Sequence, residues 1–462
     1  MSKLRLGLLL ALSLVLFSHL DAWFTPNPSS RGMLVASLVE HGSYHVDRYR
    51  GWSEDKALIR DHYYSDKAPL SSWVTLPAYA LASRWLGASS KETLHPAVII
   101  CGSIMAGVLP TILFMALLLK CLRERNASPI LTVLYVLGAI PCSMIGVYAG
   151  TFFGHILAGL FLALAWRALF HREAFVSAGV FLGLSSLAEF PMLLFIPFFI
   201  LHALIRATRP RATFNLIVGL APGLLLIITH NLLTTGKPLE FAYRYVDSPS
   251  FQHMKVLYGF RLPSLSALVG LIFSPAHGLL FSAPIITALG VAFFSRGRSA
   301  LQLVAPHLGT WSLISFVLLV SSYQMWDGGW AFGPRHLIPV LMVLLMEGVT
   351  LVPKVSNRLW QWGLALVCLY GGSLVFFAKA TSVYMIPSWL KFPLTELLIP
   401  KLLGQELNPN VVISWFLPIT PGLAHILWAH LLALVACSFC WMARKIERSE
   451  SSQNMSLQKT KG

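Results

Sequence analysis

Of the 462 residues, 56% are hydrophobic and only 12% charged, against roughly 25% charged in a soluble domain; this excludes a soluble globular protein. The net charge of +16 sits in short Lys/Arg clusters between apolar runs, such as Lys120, Arg123 and Arg125, then Arg206, Arg209 and Arg211, and later Arg444, Lys445 and Arg448. That is the pattern of cytoplasmic loops under the positive-inside rule, and it excludes a nucleic-acid surface as the reason for the basicity.

Apolar runs of roughly 18 to 25 residues, each able to cross a hydrocarbon layer of ~30 Å, recur along nearly the whole chain. They predict an all-α polytopic membrane protein of about twelve transmembrane helices, at 5–23, 95–120, 128–148, 150–170, 174–188, 190–206, 214–234, 280–296, 302–322, 337–353, 361–380 and 422–443. The first run has a basic start and an apolar stretch from Leu6 to Leu20. No A-x-A-like cleavage site follows it, and Asp21, Trp23 and Phe24 suit an interfacial anchor, so a retained first helix is expected rather than a removed signal. An even span count puts both termini in the cytoplasm. One transmembrane domain thus covers 1–444, and the polar tail 445–462 is expected to be disordered. No internal repeat is visible. All six cysteines fall within or at the ends of expected spans, which leaves no extracytoplasmic disulfide framework.

The outer segments are 24–94, 235–279, 323–336 and 381–421. The first is the largest, and it holds Glu40, Asp47, Glu54, Asp55, Asp61, Asp66 and Glu92, 7 of the 19 acidic residues of the chain. Ser29 or Ser30 can cap a helix whose Leu34, Val35, Leu38 and Val39 share a face, with Gly42 to close it. A second helix is expected from Pro69 to Leu86. Both read as amphipathic helices lying in the membrane interface.

Between them runs DRYRGWSEDKALIRDHYYSDKAP, beginning at Asp47. It crowds Asp, Lys, Arg, His and Tyr into a chain otherwise poor in charge, so a general base and a phosphate-binding cation can both come from here. The second constellation is WDGGWAFGPRHLIP, residues 326–339. Its glycines let the backbone approach a ligand, and Arg335 and His336 stand at the mouth of a span. Arg335 either snorkels or binds an anionic headgroup. Within the apolar runs, His155 and Glu189 are costly intramembrane ionisable groups and hence site candidates, Glu189 with a helix break at Pro191.

The TPNPSSRGMLVASLVEHGSYHVD and YSDKAPLSSW stretches resemble the GT-C superfamily of membrane glycosyltransferases, in the branch of the protein O-mannosyltransferases and the lipid A aminoarabinose transferase. GPRHLIP is similar to the R-Y-x-x-P found where an outer loop of those proteins enters a span. The resemblance implies inverting transfer of a sugar from a polyprenyl-phosphate-linked donor to an acceptor outside the inner (plasma) membrane; a divalent metal occurs in the wider superfamily, but the sequence shows no metal-ligand cluster and no cofactor is expected. Lys67 matches the family lysine on the lipid-linked phosphate, and Asp66 matches the glutamate before it. The family's acidic residue after the first span falls on Asn27, and an amide is no base, so Asp47 or Asp66 is expected to take that role. On the same reading Lys67 and Arg335 hold the donor phosphate, while Asn27, Tyr64, His155, Glu189 and His336 contact substrate. Lys67 is expected to depress Asp66 and leave Asp47 the better base. A transporter or lipid flippase, or a non-catalytic assembly protein, stays open beside this reading.

Overall fold

The computed structural model describes residues 2–86, 94–206, 211–296, 308–355 and 357–459. Among them the protein is an all-α membrane protein with one two-stranded hairpin. Four helices are long and apolar enough to cross a bilayer: Pro96–Glu124, Arg211–Thr235, Arg358–Ala380 and Pro421–Glu450. Shorter apolar helices fall at other expected positions, among them Phe175–Ala188 and Leu308–Ser322, and α1 spans Ser2–Phe17; part of the 302–322 stretch lies outside the described residues.

The expected 128–148 span is broken. Its helix stops at Ala139, and after Pro141 only the short helix Met144–Tyr148 follows before the chain turns into His155–Trp166. Pro141 lacks the N–H that would continue the ladder. A Cβ at Gly146 would come within 2.7 Å of the Ile140 carbonyl, and the turn folds back through that gap. The run at 280–296 is broken likewise at Pro284, between Leu279–Ser282 and Ile285–Phe294.

Among the described residues, helix 175–188 packs backbone to backbone against helix 211–235. Lipid supplies no hydrophobic drive for helix pairing, so contact depends on small residues that let backbones meet. Gly179 and Gly183 face Gly219 and Gly223: a Cβ on Gly219 would lie 2.1 Å from the Val176 carbonyl oxygen, and one on Gly223 would lie 2.5 Å from Gly183 Cα. This crossing fixes the end of the 175–188 helix, where Glu189 stands in extended backbone.

The first outer segment folds as its pattern suggests, with three differences. Helix α2 (Pro26–His41) starts earlier than expected, with Thr25 in the capping position and proline in its first turn, where a missing N–H costs nothing. Ser29 and Ser30 are therefore inside the helix. It ends at Gly42 with φ 62. Residues 28–37 are buried throughout, so α2 is a core element and not an interfacial one. Its apolar face packs with Tyr79, Val98 and Phe152 in a core separate from that of the transmembrane bundle. Helix α3 (Leu70–Leu86) does expose Leu81, Trp85 and Leu86 at its far end, as an interfacial anchor would.

The third difference is the hairpin. β1 (Lys56–Ile59) pairs antiparallel with β2 (His62–Ser65). Arg60 and Asp61 both take positive φ in the turn, the handedness that suits the twist of two strands joined by two residues. Val246 bridges to Ala57 on the other edge, and the Asp247 N–H donates to the Lys56 carbonyl at 2.9 Å. The first and second outer segments are thereby tied together.

The last helix runs on past Arg444 to Lys459 where the composition suggests a disordered tail. Extending an existing helix needs no nucleation, and Glu, Lys, Arg and Gln are good helix formers.

Candidate active site

Helix α2, the end of β2, the start of the 155–166 helix, the end of the 175–188 helix and the 326–339 loop converge on one buried polar cluster. Its centre is an ion pair: Arg31 donates through Nη2 to Glu189 Oε1 at 2.8 Å, with side chains 1% and 9% exposed. The other terminal nitrogen, Nη1, donates to Asn27 Oδ1 at 2.6 Å. His155 Nδ1 lies 3.4 Å from Glu189 Oε1, and the His155 and His336 rings meet edge to face at 5.5 Å. Arg335 lies with its guanidinium 5.1 Å over the Phe153 ring, and Phe153 stacks on His155. Gly328 makes room for it: with φ +82, its absent Cβ would sit 3.1 Å from Arg335 Cγ and Nε.

A second buried knot adjoins this one. Lys67 Nζ is 2.8 Å from Asp55 Oδ2 and 2.9 Å from Asp66 Oδ2. Ser30 Oγ donates to Asp66 Oδ1 at 3.2 Å, and the Lys67 ammonium lies 5.4 Å from the Tyr243 ring centroid. Burial alone would lower the Lys67 pKa, but the two carboxylates outweigh it and hold Lys67 above its usual range. Asp66 is raised from its ordinary value, because burial outweighs the pull of Lys67. This reverses the expectation that Lys67 would leave Asp66 depressed.

Asp47 lies apart from both knots. Its side chain is 30% exposed, with His45 and His62 on one oxygen and the Tyr63 N–H donating to the other at 2.6 Å. Partial burial would raise its pKa, yet the Tyr63 and His62 hydrogen bonds outweigh that and hold it below the carboxylate range. It is thus the weaker base of the two, contrary to the sequence reading. Tyr64 also stays outside, packed with Ala57, Ile59 and Ala242 beneath the hairpin.

Beside the ion pair opens a cavity of about 310 Å³. His155, Glu189, His336, Tyr243 and Tyr323 form its polar wall, and the remainder is apolar, with Phe190, Leu194, Phe241 and Phe316 among the lining. Two buried nitrogens on residues of the polar wall have no hydrogen-bond partner, His155 Nε2 and His336 Nε2; Arg335 Nε, on the residue before His336, is also unpartnered. Among the described residues, Glu189 Oε2 also has no partner, while Asp66 has both oxygens engaged. Sequence reasoning missed Arg31, Asp55, Tyr243 and Tyr323. Arg31 had a signal, since it is the lone charge between Ser30 and the apolar run from Met33 to Val35.

The sequence matches no family profile and no curated protein. Among solved structures the chain is similar to two crystal structures of ArnT from Cupriavidus metallidurans. The apo form aligns at 15% identity and TM-score 0.47, over 95% of this chain and 76% of that one. The form bound to undecaprenyl phosphate aligns at 15% identity and TM-score 0.48, over 99% and 80% of the two chains.

Proposed function

We propose that the protein is a membrane glycosyltransferase that takes its sugar from a polyprenyl-phosphate-linked donor and passes it to an acceptor hydroxyl outside the cytoplasm. The observation that carries this is the pairing of an apolar cavity with two unpartnered buried imidazole nitrogens on its polar wall, His155 Nε2 and His336 Nε2, next to the unpartnered Arg335 Nε. Buried nitrogens in a native protein are nearly always hydrogen-bonded, and a permanent guanidinium beside two imidazoles suits a phosphate. An apolar chamber leading from such a point suits a lipid phosphate over a soluble one. The resemblance of YSDKAPLSSW and GPRHLIP to the GT-C glycosyltransferases agrees.

In this reading Arg335, His155 and His336 hold the donor phosphate and stabilise the charge that grows on it as the glycosidic bond breaks. Glu189 is the base: it lines the cavity, Arg31 fixes one of its oxygens, and the other would take the acceptor hydroxyl proton. Lys67 acts with Asp66 and Asp55 to lock β2 against α2. Asn27 serves as an acceptor for Arg31.

The test is titration of a polyprenyl monophosphate, and of the matching polyprenol, into the purified protein in nanodiscs. The phosphate should bind and the alcohol should bind far more weakly. Arg335→Gln loses at least one charge-assisted hydrogen bond, worth ~1.5–3 kcal/mol, or roughly 10- to 150-fold in affinity. Equal binding of phosphate and alcohol, or an unaffected Arg335→Gln, overturns the reading. Mass spectrometry of envelope lipids and glycans from cells with and without the protein then identifies the product, and a lipid translocated but unmodified would indicate a flippase instead.

A further inference from the structure

The geometry points to a second site, unconnected with the cavity: a transition-metal site, of a kind that suits zinc, formed by His45, Asp47 and His62 on the outer face of the hairpin. Among the described residues these three form a group whose ligand atoms all lie within 4.8 Å of one another. His45 Nδ1 is 3.0 Å and His62 Nδ1 2.7 Å from the same oxygen, Asp47 Oδ2. The two imidazoles stack with centroids 4.5 Å apart, so both present the same ring nitrogen to one point. On a tetrahedral zinc with bonds of ~2.1 Å, ligand atoms stand ~3.4 Å apart, and small side-chain rotations reach that from here. Two neutral imidazoles and a carboxylate form a nitrogen-rich donor set, which favours zinc, nickel or copper over magnesium or calcium.

Two further features fit a bound cation. Asp47 Oδ1 already accepts the Tyr63 N–H at 2.6 Å, which orients the carboxylate and leaves Oδ2 for the metal, as an outer-shell hydrogen bond does in known sites. His45 Nδ1 is buried and, although 3.0 Å from Asp47 Oδ2, is not aligned to hydrogen-bond with it, while the ring as a whole is 43% exposed. His62, 51% exposed, keeps the fourth position open to water, so the ion would be exchangeable. Its place in the fold defines what it does. His45 and Asp47 follow α2, while His62 opens β2, the strand that ends at Ser65 and delivers Asp66 and Lys67. A metal here clamps the hairpin to the end of α2.

The experiment uses full-length, tag-free protein in detergent, stripped with chelator and titrated with zinc against a competing indicator, with bound metal counted by mass spectrometry. Its readout needs no transfer assay, so it stands or falls apart from the proposed function. Wild type should bind one zinc more per chain than His45→Ala/His62→Ala, and Asp47→Asn should bind that zinc at least ~10-fold more weakly, since even outer-shell changes cost 10- to 100-fold. Cobalt substitution should give visible d–d bands in wild type that the double variant lacks. Matching elution profiles show that the variant is folded. Equal zinc stoichiometry and affinity in wild type and the double variant would overturn the site.

Discussion

Replacing Lys67 by methionine keeps the length of the side chain and removes the cation between Asp55 and Asp66. Both carboxylates are then buried without a counter-charge, at a distance set by two contacts of 2.8 and 2.9 Å to the lost ammonium. The cheapest escape is for Asp66, already raised by burial, to stay protonated in the folded state. In the unfolded chain an Asp ionises near pH ~3.9, and each pH unit above that favours the unfolded state by ~1.36 kcal/mol. The sign follows: the folded-state pKa is raised, so the loss grows as pH rises. The wild-type Asp66 is itself raised and already carries part of this penalty, so Lys67→Met should cost at most ~4 kcal/mol at pH 7 and at most ~1.5 kcal/mol at pH 5. With an unfolding entropy of ~2.1 cal/mol/K per residue, that is a drop of at most ~4 °C and ~1.5 °C in Tm for a chain of this length. The assay is tryptophan-fluorescence melting in detergent at both pH values. Adding Asp55→Asn and Asp66→Asn should remove the pH dependence. An equal drop at pH 5 and pH 7 would refute the argument, because packing loss does not titrate.

Three further outcomes follow from contacts already described. Gly219→Ala should destabilise by ~1–3 kcal/mol through overpacking, since its Cβ would strike the Val176 carbonyl, whereas Gly363→Ala, which meets nothing within 4 Å, should be neutral or stabilising in the same melt. A cysteine at exposed Glu54 should react with a membrane-impermeant thiol reagent in intact cells, and one at exposed Lys354 should react only after lysis; the reverse pattern would invert the proposed orientation. Glu189→Gln should lower kcat by ~10² to 10⁴ in a transfer assay, with donor affinity changed far less than in Arg335→Gln; if Asp66→Asn alone abolishes turnover, Asp66 is the base.

Helix existence was legible from the sequence because apolar length and periodicity report burial directly. Helix continuity was not: Pro141 and Pro284 gave a signal, but the length of the surrounding run outweighed it. The hairpin was hidden because its turn is Arg60–Asp61, without the glycine or asparagine that normally marks positive φ. For the site, Glu189, His155, His336, Arg335, Lys67 and Asp66 stood out as charge in an apolar chain, and the fold gathers all six. Asp55 carried no such signal, as its meeting with Lys67 depends on the hairpin register. Asp47 lies away from the cluster for the same reason, since sequence distance from α2 says nothing of which side of the hairpin a residue takes.

Asn27 is the departure that most needs a physical account, and Arg31 supplies one. Its two terminal nitrogens reach Asn27 at 2.6 Å and Glu189 at 2.8 Å. A buried guanidinium is balanced by one carboxylate. If the family pattern puts that carboxylate at position 27, this chain has moved it across the same arginine to position 189 and left an amide behind. Glu189→Gln alone should then strand the Arg31 charge and cost ~3–5 kcal/mol. Asn27→Asp alone adds a second buried carboxylate and should also destabilise. Together they restore a single carboxylate beside Arg31, so the double variant should be more stable than the sum of the singles predicts by ~1–3 kcal/mol, the usual coupling of residues in one network. A double-mutant cycle of melts in detergent measures this. Strict additivity would mean that Asn27 and Glu189 do not share Arg31, and that the carboxylate has not been relocated.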